Sequence, residues 1–260
     1  MNDNFPETYK TDHAATLKRR VKWVCGIVAV AAASVIVILA LSSVKGKEVK
    51  EVSAAKTPVK ARRNHDGSLE GSINGHKWID LGLPSGLKWA ECNVGATLPE
   101  ESGDYFAWGE TLPKSDYSAV NSLTYKVPYE SLLKNGIVDE SGTLTKNHDA
   151  ARTSWGGTWR MPTEEEFSEL ITSCKWTIAS FNDINGYLVT GPNKKSIFLP
   201  AASFRQNMSL DNVGEFGDYW SSSMIKDLSG VACSLGYSSK SFGQRRYARY
   251  AGRSVRPVTD

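Results

Sequence analysis

Two tryptophans, two carboxylates and one arginine could together form a surface that recognises a ligand. They are Trp108, Trp220, Glu110, Asp218 and Arg205. An indole ring offers a flat apolar platform, and nearby polar groups fix the orientation of what lies on it. This combination is typical of surfaces that stack on sugars or anchor peptides. The alternative is that each tryptophan packs in the core.

Basic and aromatic residues interleave near the C-terminus, and this strip is a second candidate. Its members are Arg245, Arg246, Tyr247, Arg249, Tyr250, Arg253 and Arg256. Such a strip could bind an anionic glycan, with Arg249 at its centre. Alternating Arg and Tyr also suits the half-exposed face of a strand, and we favour that interpretation.

Residue types that would indicate catalysis do not occur in a recognisable arrangement. The sequence has no Ser/His/Asp pattern, no zinc-binding helix motif and no phosphate-binding loop. Its histidines are scattered, at His13, His65, His76 and His148. The sequence therefore predicts a protein that is not an enzyme and that uses no metal or other cofactor.

A long apolar segment, residues 23–44, contains no charged side chain. A helix of about 22 residues rises ~33 Å, enough to cross the ~30 Å hydrocarbon core of a bilayer. The segment is longer than the ~7–15 apolar residues of a cleaved signal peptide, and a polar tail of about twenty residues precedes it. We therefore predict a single transmembrane helix behind a basic tail, residues 1–22.

The charges that flank this apolar segment suggest its orientation. Four lysines and arginines cluster within residues 18–22, whereas the basic residues after the segment are spread out and diluted by Glu48 and Glu51. Because basic flanks are retained in the cytoplasm, we expect the N-terminus to be cytoplasmic and the main domain to be periplasmic or extracellular.

Charge is divided unevenly along the chain. Residues 1–63 carry twelve Lys and Arg against five Asp and Glu, a net charge of +7, whereas residues 64–260 carry nineteen against twenty-three, a net charge of −4. A nucleic-acid-binding protein usually has its basic excess on the folded domain. The sequence therefore predicts no nucleic-acid partner.

Residues 45–70 are rich in Lys, Glu, Ala and Ser, which predicts a polar linker or stalk. Residues 71–260 show short alternating apolar runs between turn residues, typical of an α+β domain of short, mostly antiparallel strands. The predicted strands are 76–81, 88–94, 104–108, 176–181, 186–190, 196–199, 218–222, 231–235 and 254–258, with a β-hairpin between 190 and 196.

One helix is specified locally, over residues 163–174. Thr163 and Glu166 give the Thr-x-x-Glu spacing of a capping box, and one apolar stripe follows on the helix. The stripe consists of Phe167, Leu170, Ile171 and Cys174. A second short helix is predicted over 148–155, ended by Gly156 and Gly157.

Seven short strings of the domain are distinctive in composition and order. They are residues 78–86, 89–96, 103–111, 155–163, 198–202, 219–223 and 252–258. In this order they resemble the Fibrobacter succinogenes major paralogous domain family, over nearly all of 71–260. The resemblance implies a C-type-lectin-like fold, related to the formylglycine-generating enzymes, in surface or exported bacterial proteins.

The resemblance leaves three functions open. The first is a non-catalytic binding or adhesion module for a glycan or a protein, the second is a thiol-dependent enzyme, and the third is a structural envelope component. The Glu-Pro-Asn and Trp-Asn-Asp triplets of calcium-dependent lectins are absent, so no calcium site is expected. Cys92 and Cys174 are predicted to pair as a disulfide, leaving Cys233 free within a strand.

Overall fold

The computed structural model of the chain describes residues 62–63 and 69–260. The predicted tail (1–22), membrane segment (23–44) and most of the predicted linker (45–70) lie outside the described residues. Within the described ranges, none of the helices has the length and apolar character that a bilayer crossing needs. These residues form a mixed α+β domain of short, mostly antiparallel strands with few helices, as the sequence predicts.

Short strands outnumber helices in the described ranges, and the helices all lie between β4 and β5. The strands are β1 (Arg62–Arg63), β2 (Leu69–Ile73), β3 (His76–Asp80), β4 (Lys88–Ala90), β5 (Lys175–Phe181), β6 (Ile184–Thr190), β7 (Ser196–Pro200), β8 (Phe204–Gln206), β9 (Ser209–Asp211), β10 (Phe216–Met224), β11 (Val231–Ser238), β12 (Ser241–Ala248) and β13 (Val258–Thr259). The helices are α1 (Tyr129–Lys134), α2 (Ala150–Trp155) and α3 (Glu164–Ser173), with a 3₁₀ turn at Ala119–Asn121.

The first sheet brings the two ends of the described domain together. Its strand order is β1-β2-β3-β4-β13, and every neighbouring pair is antiparallel. Asn74 and Gly75 connect β2 to β3 with positive φ angles of 50° and 85°, the backbone that a tight two-residue hairpin needs. Since Arg62 pairs with Glu70, the sheet includes residues that the sequence assigned to the linker.

Three smaller sheets complete the domain. Their strand orders are β5-β6-β7, β8-β9 and β10-β11-β12, all antiparallel. The hairpin predicted between 190 and 196 is confirmed: Gly191 N donates to Lys195 O at 2.8 Å, and Lys194 has a positive φ of 70°.

Both predicted helices form. In α3, Thr163 Oγ1 accepts from Glu166 N at 3.3 Å and the Glu166 carboxylate accepts from Thr163 N at 2.8 Å, so the predicted capping box is confirmed. Phe167 and Leu170 are buried by this helix in the core. Asp149 caps α2, which starts two residues later than predicted and ends at Gly156.

An extended segment, residues 252–256, runs through the middle of the domain between two similar tetrapeptides, Gly103–Phe106 and Gly217–Trp220. Phe106 N donates to Arg253 O at 2.9 Å, and Trp220 N donates to Ser254 O at 3.1 Å. The tyrosines of the tetrapeptides also behave alike, because Tyr105 and Tyr219 each donate to a backbone carbonyl of residues 200–202 at 2.6 Å. The contact with Phe106 joins residues 252–256 to a segment more than a hundred residues away, and the contact with Trp220 joins them to β10.

Three predicted strands are only partly formed. The predicted strand 88–94 is a strand only over Lys88–Ala90, residues 104–108 make an isolated bridge at Phe106, and only the last residue of 254–258 enters a strand. The last two segments lie in the centre of the domain, where their hydrogen bonds go to several different partners rather than to one ladder. Strands β8 and β9 were not predicted, since each lacks a continuous apolar alternation, and β12 was expected only as the strand face of the basic strip.

Candidate functional site

The two tryptophans proposed as ligand platforms lie in the core. Trp108 and Trp220 are both 0% exposed. Their indole N–H groups donate to backbone carbonyls, Trp108 to Ser221 O at 3.0 Å and Trp220 to Phe106 O at 2.9 Å. Neither ring can stack on a ligand, so the prediction of a tryptophan platform is wrong and the packing alternative holds for both.

The strand-face interpretation of the basic strip holds for only part of it. Arg245, Arg246 and Tyr247 lie in β12 with partly or fully exposed side chains, whereas Arg249, Arg253 and Arg256 are buried. Arg249 donates to four backbone carbonyls and its guanidinium lies 4.8 Å from the centre of the Trp108 ring. Burial lowers the pKa of Arg249 to about 10. The prediction that Arg249 binds an anionic glycan is therefore wrong, because the side chain has no route to a ligand.

Glu110 and Arg205 occupy separate surface hollows. Glu110 pairs with Lys114 at 2.6 Å and accepts from Leu123 N at 2.9 Å. The Arg205 guanidinium lies 5.2 Å from the centre of the Tyr105 ring, in a different hollow. The six residues that the sequence suggested as ligand contacts therefore do not form one surface. Of the six, Asp218 is the one around which we describe a candidate site.

Asp218 borders a cleft of about 280 Å³ at one face of the β10-β11-β12 sheet. Residues that line it include Phe204, Phe216, Ser238, Ser241, Arg245 and Tyr247. Three of these are aromatic, and four, with Tyr247 counted again, carry a hydroxyl or a guanidinium. The cleft therefore combines aromatic walls with several polar groups.

Glycine makes room for this cleft. Asp218 on β10 stands opposite Gly236 on β11, which stands opposite Gly243 on β12. A Cβ atom at Gly236 would lie 2.7 Å from Arg245 Cγ and 2.9 Å from Asp218 Oδ1, closer than real Cβ contacts allow. The missing side chain at Gly236 is thus what lets Asp218 and Arg245 approach each other from the two outer strands.

The described residues contain five buried side-chain atoms without a hydrogen-bond partner, and four of them belong to this sheet face. These four are Asp218 Oδ1, Ser234 Oγ, Arg253 Nε and Arg253 Nη1. Asp218 and Trp220 alternate on β10 and so share a face, and Ser234 is the strand partner of Trp220. Buried polar atoms are nearly always satisfied, so this concentration is unusual. Of these three residues only Asp218 lines the cleft, and the unpartnered atoms themselves are covered by protein.

The Arg253 guanidinium is held by rings rather than by a close ion pair. It lies 4.1, 4.6 and 5.3 Å from the ring centres of Tyr247, Trp220 and Phe204. Its Nε is 3.6 Å from Asp218 Oδ2, longer than a hydrogen bond. Burial raises the pKa of Asp218 to about 6, although the Arg253 and Arg245 charges oppose this shift. Burial likewise lowers the pKa of Arg253. The pair therefore retains unused hydrogen-bonding capacity.

A second cavity of about 530 Å³ adjoins the first and shares Phe216, Tyr237 and Ser238 with it. It lies between the β5-β6 hairpin and the start of β10, and Ile178 and Tyr187 contribute to its apolar wall. Together the two cavities could accommodate an elongated ligand. We refer to the cavity beside Asp218 as the Asp218 cleft.

The three cysteines of the domain are free thiols, so the predicted Cys92–Cys174 disulfide is not formed. Their electrostatic surroundings differ: Cys92 lies near Arg256, whereas the charged neighbour of Cys174 is Glu169. Cys233 Sγ donates to Glu164 Oε2 at 2.9 Å. Burial raises the pKa of all three thiols, to about 11 for Cys174 and about 12 for Cys233.

No group of residues suited to hold a metal occurs in the part of the chain that the structure describes.

Sequence reasoning found Asp218 but missed its partners. Arg253 and Arg245 were assigned to a strand face, and no sequence signal marks Ser234 or Gly236.

A comparison with protein-family models, with curated proteins and with solved structures finds no match for this chain.

Proposed function

We propose that the protein is a membrane-anchored, extracytoplasmic binding module without catalytic activity, and that it recognises a glycan or a protein through the Asp218 cleft. The observation that carries this proposal is the cleft of about 280 Å³ that combines aromatic walls with Asp218, Arg245 and two serine hydroxyls. A few well-placed polar groups on an otherwise apolar concave surface are typical of ligand sites.

The arrangement of groups supports binding rather than turnover. The Asp218 carboxylate faces two guanidiniums, and no nucleophile lies beside a base among the residues that line the cleft. The raised pKa values of the thiols disfavour the thiolate that a thiol-dependent enzyme would need. The thiol-dependent activity suggested by the family resemblance therefore gains no support.

Membrane anchoring rests on the uncharged segment 23–44 and on the basic cluster before it. A reporter enzyme active only outside the cytoplasm, fused after Asp260, should be active in cells. A second fusion with a reporter active only in the cytoplasm should be inactive. The reverse pattern would overturn the proposed orientation without affecting the Asp218 cleft.

For the fold, we propose a C-type-lectin-like domain of the Fibrobacter succinogenes major paralogous domain family. The proposal is supported by the seven strings of the sequence, which contribute many of the core residues, including Trp89, Trp108, Trp159, Tyr219 and Trp220. It is also consistent with the short antiparallel strands and few helices. An experimental structure with a different topology would overturn this assignment.

Ligand binding can be tested with the full-length chain on glycan and peptide arrays. We expect at least one ligand class to bind, and Arg245→Ala to weaken that binding at least tenfold. Arg246→Ala is the matched control, because Arg246 is exposed on the next position of β12 and does not line the Asp218 cleft. Absence of any ligand, or an equal response to both variants, would overturn the proposal and favour a structural envelope role.

A further inference from the structure

We propose that the outer edge of β5 is a self-association surface, through which two copies of this chain pair as antiparallel strands. β5 is the terminal strand of the β5-β6-β7 sheet and has β6 on one side only. Pairing two such edges creates one sheet of six strands, in the order β7-β6-β5-β5-β6-β7. No residue of β5 lines the Asp218 cleft, so this surface is additional to the proposed ligand site.

The turn between β5 and β6 determines which backbone groups of β5 face its neighbour. Asn182 and Asp183 form this turn with positive φ angles of 47° and 65°, the backbone of a type I′ hairpin. The residues that flank the turn, Phe181 and Ile184, are therefore a hydrogen-bonded pair of the ladder.

Three residues of β5 turn their backbone groups away from β6. Hydrogen-bonded and non-hydrogen-bonded pairs alternate along an antiparallel ladder, so residue 180 and every second residue before it point their N–H and C=O outward. These residues are Trp176, Ile178 and Ser180. The next strand follows the same alternation, since Asn185 O accepts from Ala201 N at 2.8 Å on the far side of β6. In the residues that the structure describes, the six outward groups of β5 have no hydrogen-bond partner.

β5 also lacks the features that usually protect an edge strand. It contains no proline and no bulge, and its one charged side chain, Lys175, stands at the first position. Ile178 is 59% exposed and Phe181 is 48% exposed. An open edge of seven residues with apolar side chains is a template on which another strand can pair.

The strand that fits this edge best is a second β5. With Ile178 of both copies on a twofold axis, the outward groups of residue 176 meet those of residue 180 in the other copy, so all six groups of each strand are paired. The two Ile178 side chains become direct neighbours, and Trp176 lies diagonally next to Ile178 of the second copy. Trp176 already stacks on Phe242, with 4.7 Å between the ring centres, so the pairing extends an existing apolar cluster.

The distribution of charge points to the same occupant. In this register Lys175 lies opposite Phe181 of the second copy, on the side of the exposed Asp183 that follows in the turn of that copy. No like charges meet along the paired strands, because the other residues of β5 are uncharged. The contact is confined to one strand, so its buried area lies at the low end for protein interfaces and a micromolar Kd is expected.

Sedimentation velocity of the full-length chain in detergent, over about 1–300 μM, tests this pairing. We expect a monomer–dimer equilibrium with a micromolar Kd. Ile178→Lys places two like charges on the axis and should weaken dimerisation about tenfold or more. Ile178→Glu should do the same, and an equimolar mixture of the two variants should restore the dimer, because Lys and Glu then face each other. Leu112→Lys is the matched control and should leave the Kd unchanged, since Leu112 is an exposed apolar residue outside the β5-β6 hairpin.

Ser180→Pro tests the backbone contact, because it removes one outward N–H and leaves the ladder with β6 intact. It should weaken dimerisation about tenfold or more with an unchanged circular dichroism spectrum. If the spectrum changes, restoration of the dimer by the two Ile178 variants decides. A chain that stays monomeric at every concentration, or a dimer that Ile178→Lys leaves intact, would overturn the proposal. A monomeric chain that instead binds a Thr-Val repeat peptide, with binding lost in Ile178→Lys, would assign the edge to a different protein.

Discussion

Trp108 and Trp220 hold each other's backbone segments in place. The Trp108 indole donates to Ser221 O, next to Trp220, and the Trp220 indole donates to Phe106 O, two residues before Trp108. Because both indoles are buried, each hydrogen bond is made in a region without competing water. The two tryptophans therefore fasten the N-terminal half of the domain to β10.

Replacing Trp220 with Ala should destabilise the domain by about 3–5 kcal/mol, because it leaves a large cavity and removes the hydrogen bond to Phe106 O. Urea unfolding followed by circular dichroism measures this loss. Trp220→Phe should cost less, since it keeps most of the buried volume. A loss below about 1 kcal/mol for Trp220→Ala would contradict the core position of this side chain.

Replacing Arg249 should affect stability and not ligand binding. Arg249→Glu places a negative charge against four carbonyl oxygens and should cost more than about 4 kcal/mol. Arg249→Lys, which keeps the charge with fewer donors, should cost about 1–3 kcal/mol. The exposed Arg246→Lys is the control and should change the free energy of unfolding by less than about 0.5 kcal/mol. A folded Arg249→Glu protein with altered salt-sensitive glycan binding would instead support the basic strip.

Asp218 should make stability depend on pH in a particular direction. Its folded-state pKa of about 6 exceeds the ordinary value of 3.8, so the folded protein binds more protons between these pH values than the unfolded chain does. The stabilisation from protonated Asp218 is therefore complete below about pH 3 and is lost as pH rises through the folded-state pKa of about 6, by about 3 kcal/mol in all.

The Asp218→Asn variant lacks this titration but retains all others. The unfolding free energy of the unsubstituted protein minus that of Asp218→Asn should therefore fall by about 2 kcal/mol between pH 4 and pH 7. Carboxylates with lowered pKa values, such as Glu101 and Asp139, have the opposite effect but cancel in the difference. A difference that stays constant or rises with pH would show that Asp218 is not buried as described.

The cysteines should behave as protected thiols. At pH 7.5 the three thiols of the folded domain should react slowly with Ellman's reagent, Cys233 slowest, because burial raises their pKa values. In denaturant without reductant, all four cysteines of the chain should titrate. Cys233→Ser identifies the slowest phase. If two thiols fail to titrate after export and non-reducing mass mapping finds a Cys92–Cys174 peptide, the disulfide predicted from the sequence does form.

The sequence was sufficient where structure depends on neighbouring residues. The capping box at Thr163 and Glu166 and the hairpin after Thr190 are each specified within a few residues, and both form. The α+β composition follows from the same local patterns. Longer-range pairing was not predictable in this way, which is why residues 104–108 were expected to be a regular strand and form one bridge.

The candidate site depends on such long-range pairing. Asp218 acquires its surroundings from the register that sets it opposite Gly236, and from Arg253, which arrives on a different segment. In the sequence Arg253 is one of several similar arginines, and nothing local distinguishes the buried members from the exposed Arg246. The positions of Trp108 and Trp220 were predicted wrongly for a related reason, since a large aromatic residue suits a binding surface and a core equally well.

The central position of residues 252–256 has a consequence for biosynthesis. Because Phe106 and Trp220 both hydrogen-bond to this segment, the two parts of the domain cannot close around it until the ribosome has released it. Before then, the apolar surfaces that surround it are uncovered, and the contact between Phe106 and Arg253 that is still to form spans more than a hundred residues, which slows folding. A nascent chain of this kind would depend on chaperones for longer than one built from sequential hairpins.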